Sequence, residues 1–162
     1  MDKIASFTVN HLLLDPGVYV SRIDRDPATG AVVTTFDLRL TKPNCEPVMN
    51  TAECHTLEHL GATFLRNHPV WAPRVVYFGP MGCRTGFYLA VFGEVTSEEI
   101  LPLVRGLFEF CRDFEGDIPG ARPEECGNYL DQNLSMAKWL AARYLDRDLA
   151  NIDEAHLHYR VE

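Results

Sequence analysis

The sequence predicts an α+β fold: one domain over residues 1–162, built on a small antiparallel β-sheet with flanking helices. Three observations lead there. Two pairs of strand-like segments each close through a turn-rich linker. Longer stretches with helical periodicity lie between and after those pairs. No internal repeat, low-complexity run or Ser/Gly linker divides the chain, whose length suits one core burying roughly 70% of its unfolded surface.

The first strand covers residues 18–23, and Asp26-Pro27-Ala28-Thr29-Gly30 supplies turn chemistry after it. Residues 31–41 return as the second strand. Phe36, Leu38 and Leu40 share one face of it, Asp37 and Arg39 the other. The apolar face belongs to the core, and in a chain acting alone Arg39 is solvent-exposed. Helical periodicity runs over 50–68. Strands at 74–78 and 87–95 flank a glycine-rich segment, 79–86. Thr96-Ser97-Glu98-Glu99 matches a capping box, so a helix runs over 96–114 with Leu101, Val104, Leu107, Phe108 and Cys111 on its apolar side. Pro119, Gly120 and Pro123 break 116–127 into loop, and a last helix covers 131–149. The tail from about 150 is expected to be less ordered.

Fifteen Lys and Arg against 23 Asp and Glu give a net charge of −8, which argues against a nucleic-acid or anionic-lipid partner. No run of about 18 apolar residues suits a membrane span, and no leader pattern is seen, so the expected compartment is the cytoplasm. Five cysteines at irregular spacing do not read as a disulfide framework. In a reducing compartment, cysteines near histidines point to metal binding or catalysis.

His55-Thr56-Leu57-Glu58-His59 is the most informative stretch. At roughly 100° per residue, His55 and His59 fall within about 40° of each other on one helix face, where two imidazoles can chelate one divalent metal. Glu58 lies on the same side, and Ala62 and Arg66 continue it. Leu57, Gly61 and Phe64 point the other way, into a core. The spacing H-x-x-E-H has a metal-binding reading, although two histidines one turn apart also occur by chance. A catalytic site needs a third ligand and an open position. Candidates are the cysteines, the acids and the other histidines. Cys126 stands out because a Pro/Gly-flanked loop can aim its short side chain, the alternative being a buried, inert thiol. Cys83 lies in Gly79-Pro80-Met81-Gly82-Cys83-Arg84-Thr85-Gly86. The glycines permit positive φ and close backbone approach there. Arg84 and backbone N–H groups would lower the thiol pKa and make Cys83 a base or nucleophile; otherwise it is a passenger in a hairpin loop. Cys45, Cys54 and Cys111 read as structural, and His68, His156 and His158 are not assigned to a site.

Together these segments resemble the S-ribosylhomocysteine lyase, or LuxS, family. Ser6-Phe7…His11, Phe36-Asp37-Leu38-Arg39, the histidine motif at 55–59, Pro80-Met81-Gly82-Cys83-Arg84-Thr85-Gly86 and Glu125-Cys126-Gly127 occur in the family's order and near its spacing. The resemblance covers nearly the whole chain. It implies an α+β homodimer with two active sites at the subunit interface. It implies that His55, His59 and Cys126 hold a divalent metal, Fe²⁺ natively, with Zn²⁺ or Co²⁺ able to substitute. Glu58 and Cys83 become the acid/base groups. Ser6, His11 and Arg39 would contact the ribosyl part of the substrate from the neighbouring subunit, and Arg66 matches a family arginine with a binding role. Where some members carry an acid ahead of the Pro-Met-Gly-Cys loop, this chain has Val76-Tyr77-Phe78-Gly79. The implied reaction splits S-ribosylhomocysteine into homocysteine and 4,5-dihydroxy-2,3-pentanedione, the precursor of the autoinducer-2 signal of quorum sensing; homocysteine recovery serves the activated methyl cycle.

Two rivals remain open at this level. An inverted-zincin metallopeptidase would need an acidic third ligand, here Glu94, Glu98 or Glu99, and leaves Cys83 unexplained. A non-enzymatic metal-stabilised module would need a fourth protein ligand closing the site.

Overall fold

The computed structural model describes residues 2, 4 and 7–160. Ser6 lies outside them. Strand β1 covers Gly17–Arg25 and β2 Val32–Arg39, followed by helix α1 over Thr51–Asn67, strands β3 (Val75–Pro80) and β4 (Gly86–Phe92), and helices α2 (Ser97–Asp113) and α3 (Leu134–Arg143). The four strands form one sheet in the order β1-β2-β4-β3, and every pairing is antiparallel. Both hairpins are therefore sequential neighbours, with β2 and β4 at the centre, and the helices pack together on one face. Phe36, Leu38, Leu57, Leu60, Leu89, Leu107 and Phe108 are buried in the core between them.

Local chemistry explains most element ends. The hairpin turn closes through Asp26 N–H to Ala31 O and Gly30 N–H to Asp26 O, both 2.8 Å. Thr96 caps α2 with both halves of the capping box: Glu99 N–H donates to Thr96 Oγ1 and Thr96 N–H to the Glu99 carboxylate. The last helix differs from its sequence expectation at both ends. Asn133 caps its start, so residues 131 and 132 stay outside the helix. At its far end Tyr144–Asp148 widen into a π-type turn.

The polar face of β2 departs most from expectation. Phe36, Leu38 and Leu40 face the core as the alternation requires, yet Asp37 and Arg39, on the opposite face, are only 2% and 3% exposed. Tyr19 on β1 and Tyr88 on β4 sit directly across from Asp37, on its face of the sheet. The Tyr159 ring stacks on Tyr19, centroids 4.9 Å apart, and its hydroxyl donates to Asp37 Oδ2 at 2.8 Å. Ser97 Oγ donates to Leu157 O, which fixes the same tail to α2. The C-terminal segment thus covers a face that alternation alone marks as wet.

Candidate active site and metal cluster

The first turns of α1 carry His55, Glu58 and His59 on its half-buried side, and Leu57, Leu60 and Gly61 on its buried side. The loop between α2 and α3 brings Cys126 to them. Arg122 O accepts N–H bonds from Glu125 and Cys126, folding a tight turn beneath the thiol. The ligand atoms of His55, His59 and Cys126 all lie within 4.8 Å of one another, and Cys126 Sγ is 3.4 Å from His55 Nε2.

Carbonyl oxygens fix which nitrogens face the cluster. His59 Nδ1 is 2.7 Å from Pro119 O, and His55 Nδ1 is 2.9 Å from Asp131 O. A carbonyl can only accept, so each Nδ1 carries the proton and each Nε2 lone pair is free. Asn128 N–H points at Cys126 Sγ from 3.4 Å and helps to orient it. Gly120 has φ +72°, and a Cβ there would come within 3.1 Å of His59 Nδ1. The loop presses onto the imidazole because that residue has no side chain. Two imidazoles and a cysteine sulfur, each held from behind, suit a borderline divalent metal such as Fe²⁺, Zn²⁺ or Co²⁺.

Cys83 stands on the β3–β4 turn. The expected positive φ falls on Arg84, at +58°, rather than on a glycine. Gly86 supplies the close approach instead: a Cβ there would lie 2.2 Å from Leu38 O. Arg84 N–H bonds back to Met81 O, and Arg84 O accepts from Met49 N–H, which ties the turn to the entry of α1. Strain of this kind persists only where the surroundings hold it. Burial by itself would push the Cys83 thiol up, but Thr85 and the Arg39 guanidinium hold it below the ordinary thiol value. Thr85 Oγ1 is 3.0 Å from Cys83 Sγ and Arg39 Nη1 is 3.8 Å away. Arg39 also donates to Thr85 Oγ1 and pairs with Asp37 at 2.5 Å. Burial opposes the charge of Arg39, and Asp37 beside it outweighs that opposition.

A cavity of about 520 Å³ opens in front of Cys83, lined also by His11, Thr85 and the 43–48 loop. His11 further lines a narrow cleft with Asp37, Arg39 and Tyr159. The structure thus brings six of the sequence-selected residues into two clusters, His55–His59–Cys126 and Cys83–Arg39–His11, while Glu58 stays on the half-buried side of α1 beside the two histidines. Arg66 is in neither: it donates to the carbonyls of Val75 (2.5 Å) and Val76 (3.0 Å) on β3. The acids that a zincin reading would enlist are engaged elsewhere: Glu94 with Arg25, Glu98 with His158, and Glu99 in the α2 cap. Thr85 and the two carbonyls were missed by motif reading. A hydroxyl two residues after a reactive cysteine is a usable signal; a carbonyl has none in sequence.

Thr85→Val removes one of the groups that lower the Cys83 pKa. The pH midpoint for alkylation of Cys83 is expected to rise, because Thr85 is among the groups that hold the thiol low. Peptide-resolved labelling with iodoacetamide across pH 6–10 measures it, and an unmoved midpoint removes Thr85 from this role.

Residues 4–155 match the S-ribosylhomocysteinase (LuxS) family. The chain is 60% identical over 159 residues to an S-ribosylhomocysteine lyase of Clostridium beijerinckii, covering 98% of this chain and 99% of that one. It is 57% identical over 159 residues to the enzyme of that name from Finegoldia magna, with the same coverage. Against that of Phocaeicola vulgatus it is 50% identical over 159 residues, 98% of each chain.

Proposed function

The chain belongs to the S-ribosylhomocysteinase (LuxS) family, and from that premise we propose that it is a metal-dependent lyase that cleaves S-ribosylhomocysteine to homocysteine and 4,5-dihydroxy-2,3-pentanedione. The observation that carries this reading is the pairing of a three-donor cluster with a separate thiol whose pKa is lowered. The thioether breaks only when an acidic proton lies beside the carbon that bears sulfur. The ring-opened sugar has its carbonyl at C1, too far from C5. Two proton shuttles move it to C2 and then C3, after which the C4 proton is acidic and the C5 thiolate leaves by β-elimination.

Each shuttle needs a base on carbon that can return its proton. Cys83, held towards thiolate by Thr85 and Arg39, is one such group, and the half-buried Glu58 carboxylate is the other. His55, His59 and Cys126 would hold one divalent ion, Fe²⁺ by family resemblance, whose contribution is Lewis-acid polarisation of the substrate's oxygens. Ser6, His11 and Arg39 would contact the ribosyl part; any contact from Arg66 uses the N–H groups its bonds to β3 leave over. Incubating metal-loaded protein with S-ribosylhomocysteine and a thiol reagent tests the reading. Release of homocysteine supports it, and its absence from loaded, folded protein overturns it.

The same premise supports a cytoplasmic homodimer with shared sites. The sheet's outer face carries a groove lined by Val33, Val76, Tyr77, Tyr88 and Ala90, with Tyr77 53% exposed, and a second copy suits such a surface. Five free cysteines fit a reducing compartment. No helix among the described residues is long and apolar enough to cross a membrane. Because Arg39 lies against Cys83 of its own chain, the two would enter a shared site together. The informative mixture is therefore Arg39→Ala with Glu58→Gln, each inactive alone. Random exchange makes about half of the dimers mixed, each with one intact site, so activity should return to about a quarter of wild type. Silence after demonstrated exchange would put Arg39 and Glu58 in one chain's site.

A further inference from the structure

Gln132 lies just ahead of the α3 cap, between α1 and the loop that supplies Cys126. Its amide touches two residues of the histidine motif. Nε2 is 3.2 Å from His55 Nδ1, and Oε1 is 2.7 Å from Thr56 Oγ1. Which end of an amide is oxygen follows from its hydrogen-bond network. In this orientation the network does not close. Thr56 Oγ1 has one proton, yet it faces two acceptors, Ala52 O at 3.0 Å and Gln132 Oε1. His55 Nδ1 must be protonated to reach Asp131 O at 2.9 Å, yet an amide N–H also points at it. Turning the amide by 180° settles both sites. Thr56 then donates to Ala52 O and accepts from the Gln132 amide and from Asn133 N–H, which is 2.9 Å away. His55 Nδ1–H is then shared between two oxygens, Asp131 O and Gln132 Oε1.

We propose that Gln132 is a positioning residue for the metal-binding imidazole of His55, with its side-chain oxygen turned to Nδ1. The proposal rests on the metal reading of the His55–His59–Cys126 cluster. Gln132 locks the tautomer that leaves Nε2 open, and through Thr56 it fixes the α3 entry to the helix that carries both imidazoles. Thr56 is fully buried, so this link is sheltered from water. The wrong tautomer would place a proton where the ion must bind.

The test uses the full-length apo-protein and Co²⁺ alone, reading its affinity by chelator competition and its visible absorption band. Gln132→Met keeps the size of the side chain and removes the acceptor. Disturbing the partner of a ligating histidine weakens binding roughly 10–100-fold. Because Asp131 O remains, a loss of about 10-fold and a shifted band are expected for Gln132→Met. Gln132→Glu keeps an oxygen at Nδ1 and should bind within about threefold of wild type, or more tightly. Wild-type affinity and an unshifted band in a folded Gln132→Met would overturn the proposal. So would Gln132→Glu as weak as Gln132→Met, since the amide would then serve Thr56 alone. If Gln132→Met does not fold, the glutamate variant decides by itself. Failure of wild type to bind Co²⁺ sinks the metal reading first, and this inference with it.

Discussion

Cys83→Ala is expected to abolish homocysteine release while leaving fold and metal content intact. Losing a proton-transfer group costs about 10²–10⁴-fold. Two shuttles and an elimination depend on such transfers, so the upper end is expected, about 5 kcal/mol of barrier. The turn that carries the thiol is held from the backbone by Arg84 and Met49, so only the contacts of Sγ with Thr85 and Arg39 leave with it. Glu58→Gln should behave alike, because its carboxylate is not one of the three clustered donors. Single-turnover assays on metal-loaded variants, with circular dichroism as the fold control, measure both. Near-normal turnover in either variant removes that residue from proton transfer.

Cys126→Ser should produce the opposite dissociation, with metal lost and the Cys83 thiol undisturbed. A hydroxyl is a poor replacement for a thiolate at a soft position. The expected loss of Co²⁺ affinity exceeds about 100-fold, the most that disturbing a ligand's support alone achieves. Alkylation of Cys83 should keep its wild-type pH midpoint, since Thr85 and Arg39 act from another part of the chain. Full occupancy in Cys126→Ser would strike Cys126 from the ligand set.

Much of this arrangement was legible because it is local. The 3.6-residue period put His55, Glu58 and His59 on one side of α1, and the capping box placed the start of α2 within a residue. Period-2 alternation sorted Phe36 and Leu38 from Asp37 and Arg39 correctly. What it could not supply was distance along the chain. The Asp37–Arg39 pair is buried with Tyr159 bonded to Asp37, and no local pattern announces a contact spanning 122 positions. The start of α3 was misplaced for a related reason. Asp131 and Gln132 are acceptable in a helix, but the Asp131 carbonyl and the Gln132 side-chain amide are engaged with His55 and Thr56, which leaves the cap to Asn133. Motif spacing selected Cys83, whereas its lowered pKa depends on Thr85 and on a β2 arginine more than forty residues earlier.

The bond between Tyr159 and Asp37 also sets an order of events during synthesis. Asp37 leaves the ribosome 122 residues before Tyr159. At about 5–20 residues per second, that is a wait of roughly 6–24 s. Throughout it the Asp37–Arg39 pair can form in the nascent hairpin while still wet, at little desolvation cost. Only the arrival of Tyr159 delivers the ring that stacks on Tyr19. The pair beside the reactive thiol thus gains this bond only once Tyr159 has emerged, and a nascent chain stalled before that residue would hold a complete set of clustered donors beside an Asp37–Arg39 pair without it.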